Sequence, residues 1–219
     1  MGTNKILYFS LLLLIYFFCG YIFDRHETEI IFFLFFSCFA LTILVSKKLS
    51  LNEIFFFGIS FRLVLFFAIP WLSEDFYRFI WDGLIIGENI NPYEYTPSEL
   101  LNNGEALETT IIFEELHKKM SNLNSLNYSP YPPINQFLFF LSTFLKKDIY
   151  FSLISMRGLI IGSEILNFFI GCRILKKLKF NENKILWYFL NPLVIIELTG
   201  NLHFEGFMLT FLVLASFYF

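Results

Sequence analysis

An acidic segment with one arginine and several aromatic residues lies between apolar stretches of the chain. It extends from Ser73 to Gly83 and has the sequence Ser-Glu-Asp-Phe-Tyr-Arg-Phe-Ile-Trp-Asp-Gly. Carboxylates, a guanidinium group and large aromatic rings beside a membrane are more typical of a chemical site than of a connection between two spans. The leading interpretation of the segment is therefore an enzyme site at the membrane surface.

The spacing within this segment predicts a helix with two different faces. At about 100° per residue, Asp75, Arg78 and Asp82 share one side, and apolar or aromatic residues occupy the other. We expect this helix to lie flat on the outer leaflet with its charges directed to water. The alternative is structural, with Ser73 as the helix cap and Glu74 and Asp75 stabilising the positive N-terminal end.

A second polar group comprises Asn201, His203 and Glu205, between two apolar stretches. A histidine and a carboxylate two residues apart are able to hold a metal or a phosphate, although this pattern is weak. The alternative role of Glu205 is only to complement the start of a helix. Glu197 precedes this group and is a candidate for the same cavity as His203.

Ionisable residues also occur inside predicted membrane spans. Such groups are costly in lipid and usually face the protein interior or a water-filled cavity. Arg157, near the outer end of its span, is a candidate contact for a lipid phosphate. Arg62 and Glu164 lie deeper, and we interpret them as structural residues that pair with partners.

Two further motifs, each containing proline and tyrosine, are candidates for the same functional site. Asn91-Pro92-Tyr93 is equally well explained as a turn, and Tyr131-Pro132-Pro133 as the start of a helix.

The composition is that of an integral membrane protein. Hydrophobic residues make up 56% of the chain and aromatic residues 21%, above the roughly 45–50% apolar content of soluble domains. With 16 basic and 19 acidic residues, the net charge of -3 argues against a nucleic-acid-binding protein. The three cysteines lie in apolar runs without metal-site spacing, so neither a disulfide framework nor a zinc site is expected.

The apolar stretches predict an all-α, polytopic membrane protein. Six of them approach the roughly 20 residues that a membrane-spanning helix requires; they cover residues 6–23, 30–46, 54–72, 149–172, 185–200 and 204–219. The shorter run 134–145 predicts a re-entrant or interfacial helix. The predicted divisions are 1–72, 73–148 and 149–219.

Lysine and arginine residues predict the orientation. Lys47-Lys48 and the five cations between residues 173 and 184 are expected on the cytoplasmic side. The N-terminus is then cytoplasmic, and residues 73–148 lie outside. Because the chain ends at Phe219 within an apolar run, we expect an incomplete N-terminal part of a longer protein.

Taken together, the motifs resemble the bacterial polyprenyl-phosphate-mannose-dependent mannosyltransferases of the GT-C superfamily. The resemblance extends from about residue 54 to the end and is carried by Tyr77–Gly83, Ile90–Tyr93, Tyr131–Pro133, Leu190–Glu197 and Gly200–His203. It implies a multi-spanning fold whose outer loop supplies an acidic catalytic residue. Two departures are Glu205, where most relatives have Asp, and the absence of the further spans with which relatives continue.

The resemblance implies transfer of a mannose-like sugar from a polyprenyl phosphate to a glycan or lipid-linked acceptor at the outer face of the cytoplasmic membrane. The implied catalytic acids are Asp75, as general base, and its neighbour Glu74. The candidate substrate-binding residues are Arg78, Asp82, Asn91, Tyr93, Tyr131, Arg157, Asn201, His203 and Glu205. A divalent cation is a possible cofactor, held by Asp75, Glu74, His203 or Glu205.

Two alternatives remain at this stage. One is a non-catalytic transporter or flippase subunit for lipid-linked sugars, in which discontinuous helices and inverted repeats are expected. The other is an inactive truncated remnant. The sequence contains no evident inverted repeat, and its charges concentrate at the predicted outer surface, which favours the enzyme.

Overall fold

The computed structural model describes residues 3–23, 25–46, 49–102 and 110–218. Within these ranges all regular structure is helical. The twelve α-helices are α1 (Thr3–Tyr21), α2 (Thr28–Ser46), α3 (Leu51–Val64), α4 (Asp75–Gly87), α5 (Pro97–Asn102), α6 (Thr110–Lys119), α7 (Asn122–Ser125), α8 (Pro133–Thr143), α9 (Ile149–Lys177), α10 (Leu186–Phe189), α11 (Pro192–Val194) and α12 (Glu205–Tyr218). A 3₁₀-helix, Glu182–Ile185, precedes α10, and a π-helix, Ile195–Gly200, follows α11. The all-α prediction is confirmed.

The chain divides into two compact units. Unit 1 combines Met1–Trp71 with Ile160–Phe219, and unit 2 is Leu72–Leu159. Unit 2 contains the predicted outer loop, 73–148.

Three of the described helices are long and apolar enough to cross a membrane, namely Asn4–Tyr21, Thr28–Ser46 and Ile149–Lys177. A fourth span is counted if Pro192–Gly200 and Glu205–Tyr218, which meet at a bend of 118°, form one crossing. The structure thus has three or four candidate spans, and the prediction of six is not confirmed.

The other predicted spans fall on short or broken helices. Residues 54–72 correspond to α3, whose 14 residues extend only about 21 Å, against the roughly 30 Å of a bilayer core. Residues 185–200 are divided among a 3₁₀-helix, two short α-helices and the π-helix. Lys47 and Lys48, on which the predicted orientation partly depends, lie outside the described residues.

Unit 1 begins with α1, which packs against α2 and α3. The Phe9 ring lies 4.5 Å from that of Phe57, centroid to centroid. A capping box starts α3: the Ser50 hydroxyl accepts from the backbone N–H of Glu53, and the Glu53 carboxylate accepts from the backbone N–H of Ser50 at 2.8 Å. This exchange satisfies two N–H groups that the first helical turn leaves unpaired.

Unit 2 is organised around the packing of α4 on α8. The helix predicted near 134–145 is present as α8, with Pro132 as its N-cap and Pro133 in its first turn. Gly83 makes the close approach possible, because a Cβ at this position would lie 2.5 Å from the carbonyl oxygen of Phe139. No side chain larger than hydrogen fits between the two backbones at this point.

Candidate functional site

The charged face of α4 is directed into unit 2. The Arg78 Nε donates to Asp82 Oδ1 at 2.7 Å, and the two side chains are 1% and 0% exposed. The expectation that the charges of this helix point to water is therefore wrong for these two residues. The reason is that polar partners from distant segments cover this face.

Two of these partners bind the second oxygen of Asp82. The Ser129 hydroxyl donates to Oδ2 at 2.6 Å, and the Gln136 Nε2 donates to the same atom at 2.8 Å. We call Arg78, Asp82, Ser129 and Gln136 the Asp82 network. Burial raises the pKa of Asp82 above its usual value, although the Arg78 guanidinium and the two hydrogen bonds oppose this effect.

Arg78 also fixes the segment around α7. Its Nη1 donates to the backbone carbonyls of Asn124 and Asn127. A guanidinium that is bound to a carboxylate and two carbonyls has few donors left for a substrate. In this structure Arg78 therefore holds unit 2 together.

Asp75 differs from Asp82 although both lie on α4. It is partly exposed, and Asn124 Nδ2 donates to its Oδ1 at 2.7 Å. No described residue donates to its Oδ2. Asp75 thus has one oriented carboxylate oxygen and a second that remains available to a hydroxyl group.

The surroundings of Asp75 bear on the capping alternative. Its backbone N–H donates to the Ser73 hydroxyl at 3.2 Å, so Ser73 does satisfy a donor at the helix start. Glu74 occupies the N-cap position without a side-chain capping bond. Nothing in the sequence pattern points to Asn124, because an asparagine in a polar loop is ordinary.

The aromatic motifs are brought together in unit 2. Asn91 Oδ1 accepts from the backbone N–H of Tyr93 at 3.1 Å, which forms the expected turn. The Tyr93 hydroxyl then donates to the Tyr131 carbonyl at 2.6 Å. The Tyr131 ring packs edge-on against those of Phe79 and Phe139, at 4.9 Å and 5.6 Å between centroids.

The buried charges of unit 1 pair as expected. Arg62 Nη2 donates to Glu164 Oε2 at 2.9 Å, and both side chains are 0% exposed. Glu164 Oε1 accepts from the Tyr188 hydroxyl at 2.6 Å and from Asn167 Nδ2 at 3.2 Å. The structural interpretation of Arg62 and Glu164 is confirmed. Arg157, on α9 in unit 2, is also fully buried.

A cavity of about 400 Å³ lies in unit 1 beside the π-helix. We call it the π-helix cavity; its lining residues are Tyr188, Leu193, Val194, Glu197, Leu198, His203, Glu205, Met208 and Leu209. His203 Nδ1 lies 3.3 Å from Glu197 Oε2, with the two side chains 28% and 31% exposed. The expectation that Glu197 faces the same cavity as His203 is confirmed.

The backbone around this cavity is irregular. The Asn191 side chain accepts from the backbone N–H of Leu193 at 3.0 Å and starts α11, and Leu202 has a positive φ of 61°. π-Helices are rare and occur frequently at functional sites. Asn201, the remaining member of the predicted group, is fully buried and does not line the cavity.

Neither cluster forms a metal centre in the part of the chain that the structure describes. No group of three or more histidine, cysteine, aspartate or glutamate side chains there is arranged to hold a metal ion. The use of a divalent cation stays a prediction.

Comparison with known proteins gives one result. Residues 31–219 match the family model described as "Alpha-(1->6)-mannopyranosyltransferase, N-terminal domain". No curated protein and no solved structure gives a significant match.

Proposed function

The chain belongs to the alpha-(1->6)-mannopyranosyltransferase N-terminal domain family, and on this premise we propose that it transfers a mannosyl residue from a polyprenyl phosphate to a glycan or lipid-linked acceptor. The observation that carries the proposal is the match over residues 31–219. The candidate membrane spans support it, because a polyprenyl donor is confined to the bilayer.

Asp75 is the proposed general base. A base must accept the proton of the attacking hydroxyl within hydrogen-bond reach. Asp75 Oδ2 is suited to this task because Asn124 holds the other oxygen and because the side chain is partly exposed. Asp82 is unsuited, since both its oxygens are occupied and it is fully buried.

The leaving lipid phosphate requires positive charge. Of the two candidates, Arg78 already donates to Asp82 and two backbone carbonyls, so Arg157 is the proposed contact; it is buried in unit 2. Contact between a phosphate and this guanidinium requires the residues that cover Arg157 to move. Asn91, Tyr93 and Tyr131 would then serve the substrate indirectly, by fixing the loop beside α4.

The proposed location is the outer face of the cytoplasmic membrane, with a cytoplasmic N-terminus. This orientation requires residues 54–72 to cross the bilayer, although α3 itself ends at Val64. Cysteines introduced at the exposed positions Glu94 and Leu123, in a chain without native cysteines, should react with an impermeant thiol reagent in intact cells. A cysteine at Lys177 should not react. Labelling at Lys177 from outside would contradict the proposed orientation.

The activity itself is tested with membranes that contain this chain and a polyprenyl phosphate carrying radiolabelled mannose. We expect label in an acceptor glycan, and its release by an α-1,6-specific mannosidase. Label that moves across the membrane without incorporation would favour a transporter. Incorporation of another sugar in preference to mannose would contradict the proposed donor.

A further inference from the structure

Asn124 is hydrogen-bonded to three different residues of unit 2. Its backbone N–H donates to the hydroxyl of Ser121, the N-cap of α7. Its backbone carbonyl accepts from Arg78 Nη1, and its side-chain Nδ2 donates to Asp75 Oδ1 at 2.7 Å. Asn124 thus joins the short helix α7 to two residues of α4 that lie 46 and 49 positions away in the sequence.

Helix α7 needs contacts with other elements to keep its place. It has four residues, Asn122–Ser125, whereas isolated helices shorter than about 12–15 residues are marginal in water. The Arg78 guanidinium supplies such a contact at the carbonyl of Asn124, and again at the carbonyl of Asn127 at 2.8 Å. The position of the Asn124 side chain therefore depends on that of Arg78.

Arg78 is able to fix α7 because its own position is fixed. Its Nε donates to Asp82 Oδ1 at 2.7 Å, and the rest of the Asp82 network binds the other oxygen of that carboxylate. A guanidinium is planar and presents its donors in a rigid fork, so holding one edge sets the direction of the other. The hydrogen bonds therefore form a continuous path from the Asp82 network through Arg78 and Asn124 to Asp75.

The contact with Asn124 restricts the Asp75 carboxylate. An aspartate side chain turns about χ1 and χ2, and χ2 has only a broad preference. A carboxylate accepts hydrogen bonds and donates none, so the amide nitrogen of Asn124 is the group that faces it. Within the part of the chain that the structure describes, no other side chain donates to this carboxylate. Asn124 therefore limits the directions that the remaining oxygen, Oδ2, is able to take.

We propose that Asn124 is a positioning residue for the Asp75 carboxylate, and that Arg78 acts on Asp75 through Asn124. The inference rests on the proposed function, which makes Asp75 the base, and it adds how that base is directed. A general base works only within hydrogen-bond reach of the proton that it accepts. Loss of this direction lowers the rate even when the carboxylate itself is present.

The direction of Asp75 is tested by NMR, without a transfer assay. The chain has four aspartates, so carbon-13 labelling of the aspartate carboxyl group gives four resonances, which substitution by asparagine assigns. In the 219-residue chain in nanodiscs, Asn124→Ala should move the Asp75 resonance and leave that of Asp82 in place. Arg78→Lys, which keeps the charge but loses the fork, should move both. Asn122→Ala, at an exposed asparagine of the same helix, is the matched control and should move neither.

The effect on the rate is measured in the membranes used for the mannosyl-transfer assay. Asn124→Ala should lower kcat by roughly 10- to 100-fold with KM unchanged, because a misplaced base slows the chemistry without weakening binding. In an Asp75→Asn background, Asn124→Ala should have no further effect, since a positioning residue acts only through the group that it positions. Asn122→Ala should keep the native kcat in both backgrounds.

Three results would overturn the inference. They are an Asp75 resonance that Asn124→Ala leaves unchanged, a native kcat in Asn124→Ala, and an equal loss of rate from Asn124→Ala with and without the Asp75 carboxylate. Failure of the proposed function gives a different result. A chain that transfers no mannose, but whose Asp75 resonance moves in both Asn124→Ala and Arg78→Lys, would contradict the transfer activity and leave the path from Arg78 to Asp75 intact.

Discussion

The Asp82 network and the π-helix cavity each place a carboxylate beside a basic side chain, but their access to solvent is opposite. In the network, Arg78 and Asp82 are 1% and 0% exposed, and both carboxylate oxygens accept hydrogen bonds. In the cavity, His203 and Glu197 keep 28% and 31% of their side-chain surface at a contact of 3.3 Å. Similar residue types are thus fully buried in the Asp82 network and partly exposed to solvent in the π-helix cavity.

This difference shows which acids are available for chemistry. A buried ion pair whose hydrogen bonds are complete holds segments together, and breaking it leaves an uncompensated charge. A partly exposed carboxylate with an unused oxygen is able to accept a proton or a hydroxyl group. Helix α4 carries one acid of each kind: Asp75 is partly exposed and has an unused oxygen, whereas Asp82 is buried and fully hydrogen-bonded.

The largest effect is expected on the rate of mannosyl transfer, when the partly exposed Asp75 of α4 is substituted. In the protein assayed for mannosyl transfer, Asp75→Asn should lower the rate by about 10²–10⁴-fold, the range for loss of a general base. Protein abundance in the membrane should stay the same, because the change is nearly isosteric and Asn124 retains an oxygen acceptor.

Glu74→Gln is the matched control for this substitution. Adjacent helical residues point about 100° apart, so Glu74 does not share the direction of Asp75 and its loss should cost much less. Near-normal transfer by Asp75→Asn at normal abundance would show that the base is another residue.

Substitution of the buried Asp82 should lower the stability of the protein. Asp82→Asn leaves Arg78 buried without its counter-charge and should lower the free energy of unfolding by about 3–5 kcal/mol. Denaturation of the purified protein in detergent measures this loss. The double variant Arg78→Met/Asp82→Asn should recover part of it, and equal stability of the single variant and the native chain would contradict the structural role.

The packing that closes the network depends on Gly83. Gly83→Ala places a Cβ 2.5 Å from the Phe139 oxygen and 2.6 Å from its carbonyl carbon. Because backbone atoms have to move, we expect a loss of about 1–3 kcal/mol in the same assay. Gly158→Ala, on α9, is the control: nothing lies within 4 Å of its Cβ, so it should be neutral or stabilising by up to about 1 kcal/mol.

The smallest effect is expected beside the π-helix cavity. Tyr188→Phe removes the donor to Glu164 but keeps the ring, and Asn167 still donates to the same oxygen. We expect a loss of about 1–2 kcal/mol in the free energy of unfolding. Tyr128→Phe, at an exposed tyrosine, is the control, and equal losses in the two variants would show that the Glu164 bond contributes nothing specific.

The sequence predicted the elements whose signal is local. Long apolar stretches gave α1, α2 and α9, and Pro132-Pro133 gave the start of α8. Hydropathy did not show that α3 ends at Val64, because the following residues are equally apolar whether they continue a helix or form a turn. The π-helix was missed for the same reason.

The site was predictable only where its residues are close in sequence. The spacing of Arg78 and Asp82 places them on one helix face, and the separation of Glu197 and His203 is short. The partners that close the network, Ser129 and Gln136, come from 47 and 54 residues away. Whether an acid is open or buried depends on such distant contacts, so its role did not follow from the pattern.

The contact between Gly83 and Phe139 gives the crossing of α4 and α8 the properties of a pivot. Backbone meets backbone there, so the helices have no layer of side chains to absorb a change of angle. Asp75 lies eight residues before this point, about 12 Å along the helix axis at 1.5 Å per residue. A rotation of about 5° at the pivot would displace it by about 1 Å, a misplacement that is able to cost about 10²-fold in rate. A small change in the crossing angle at Gly83 would therefore change the position of the proposed base.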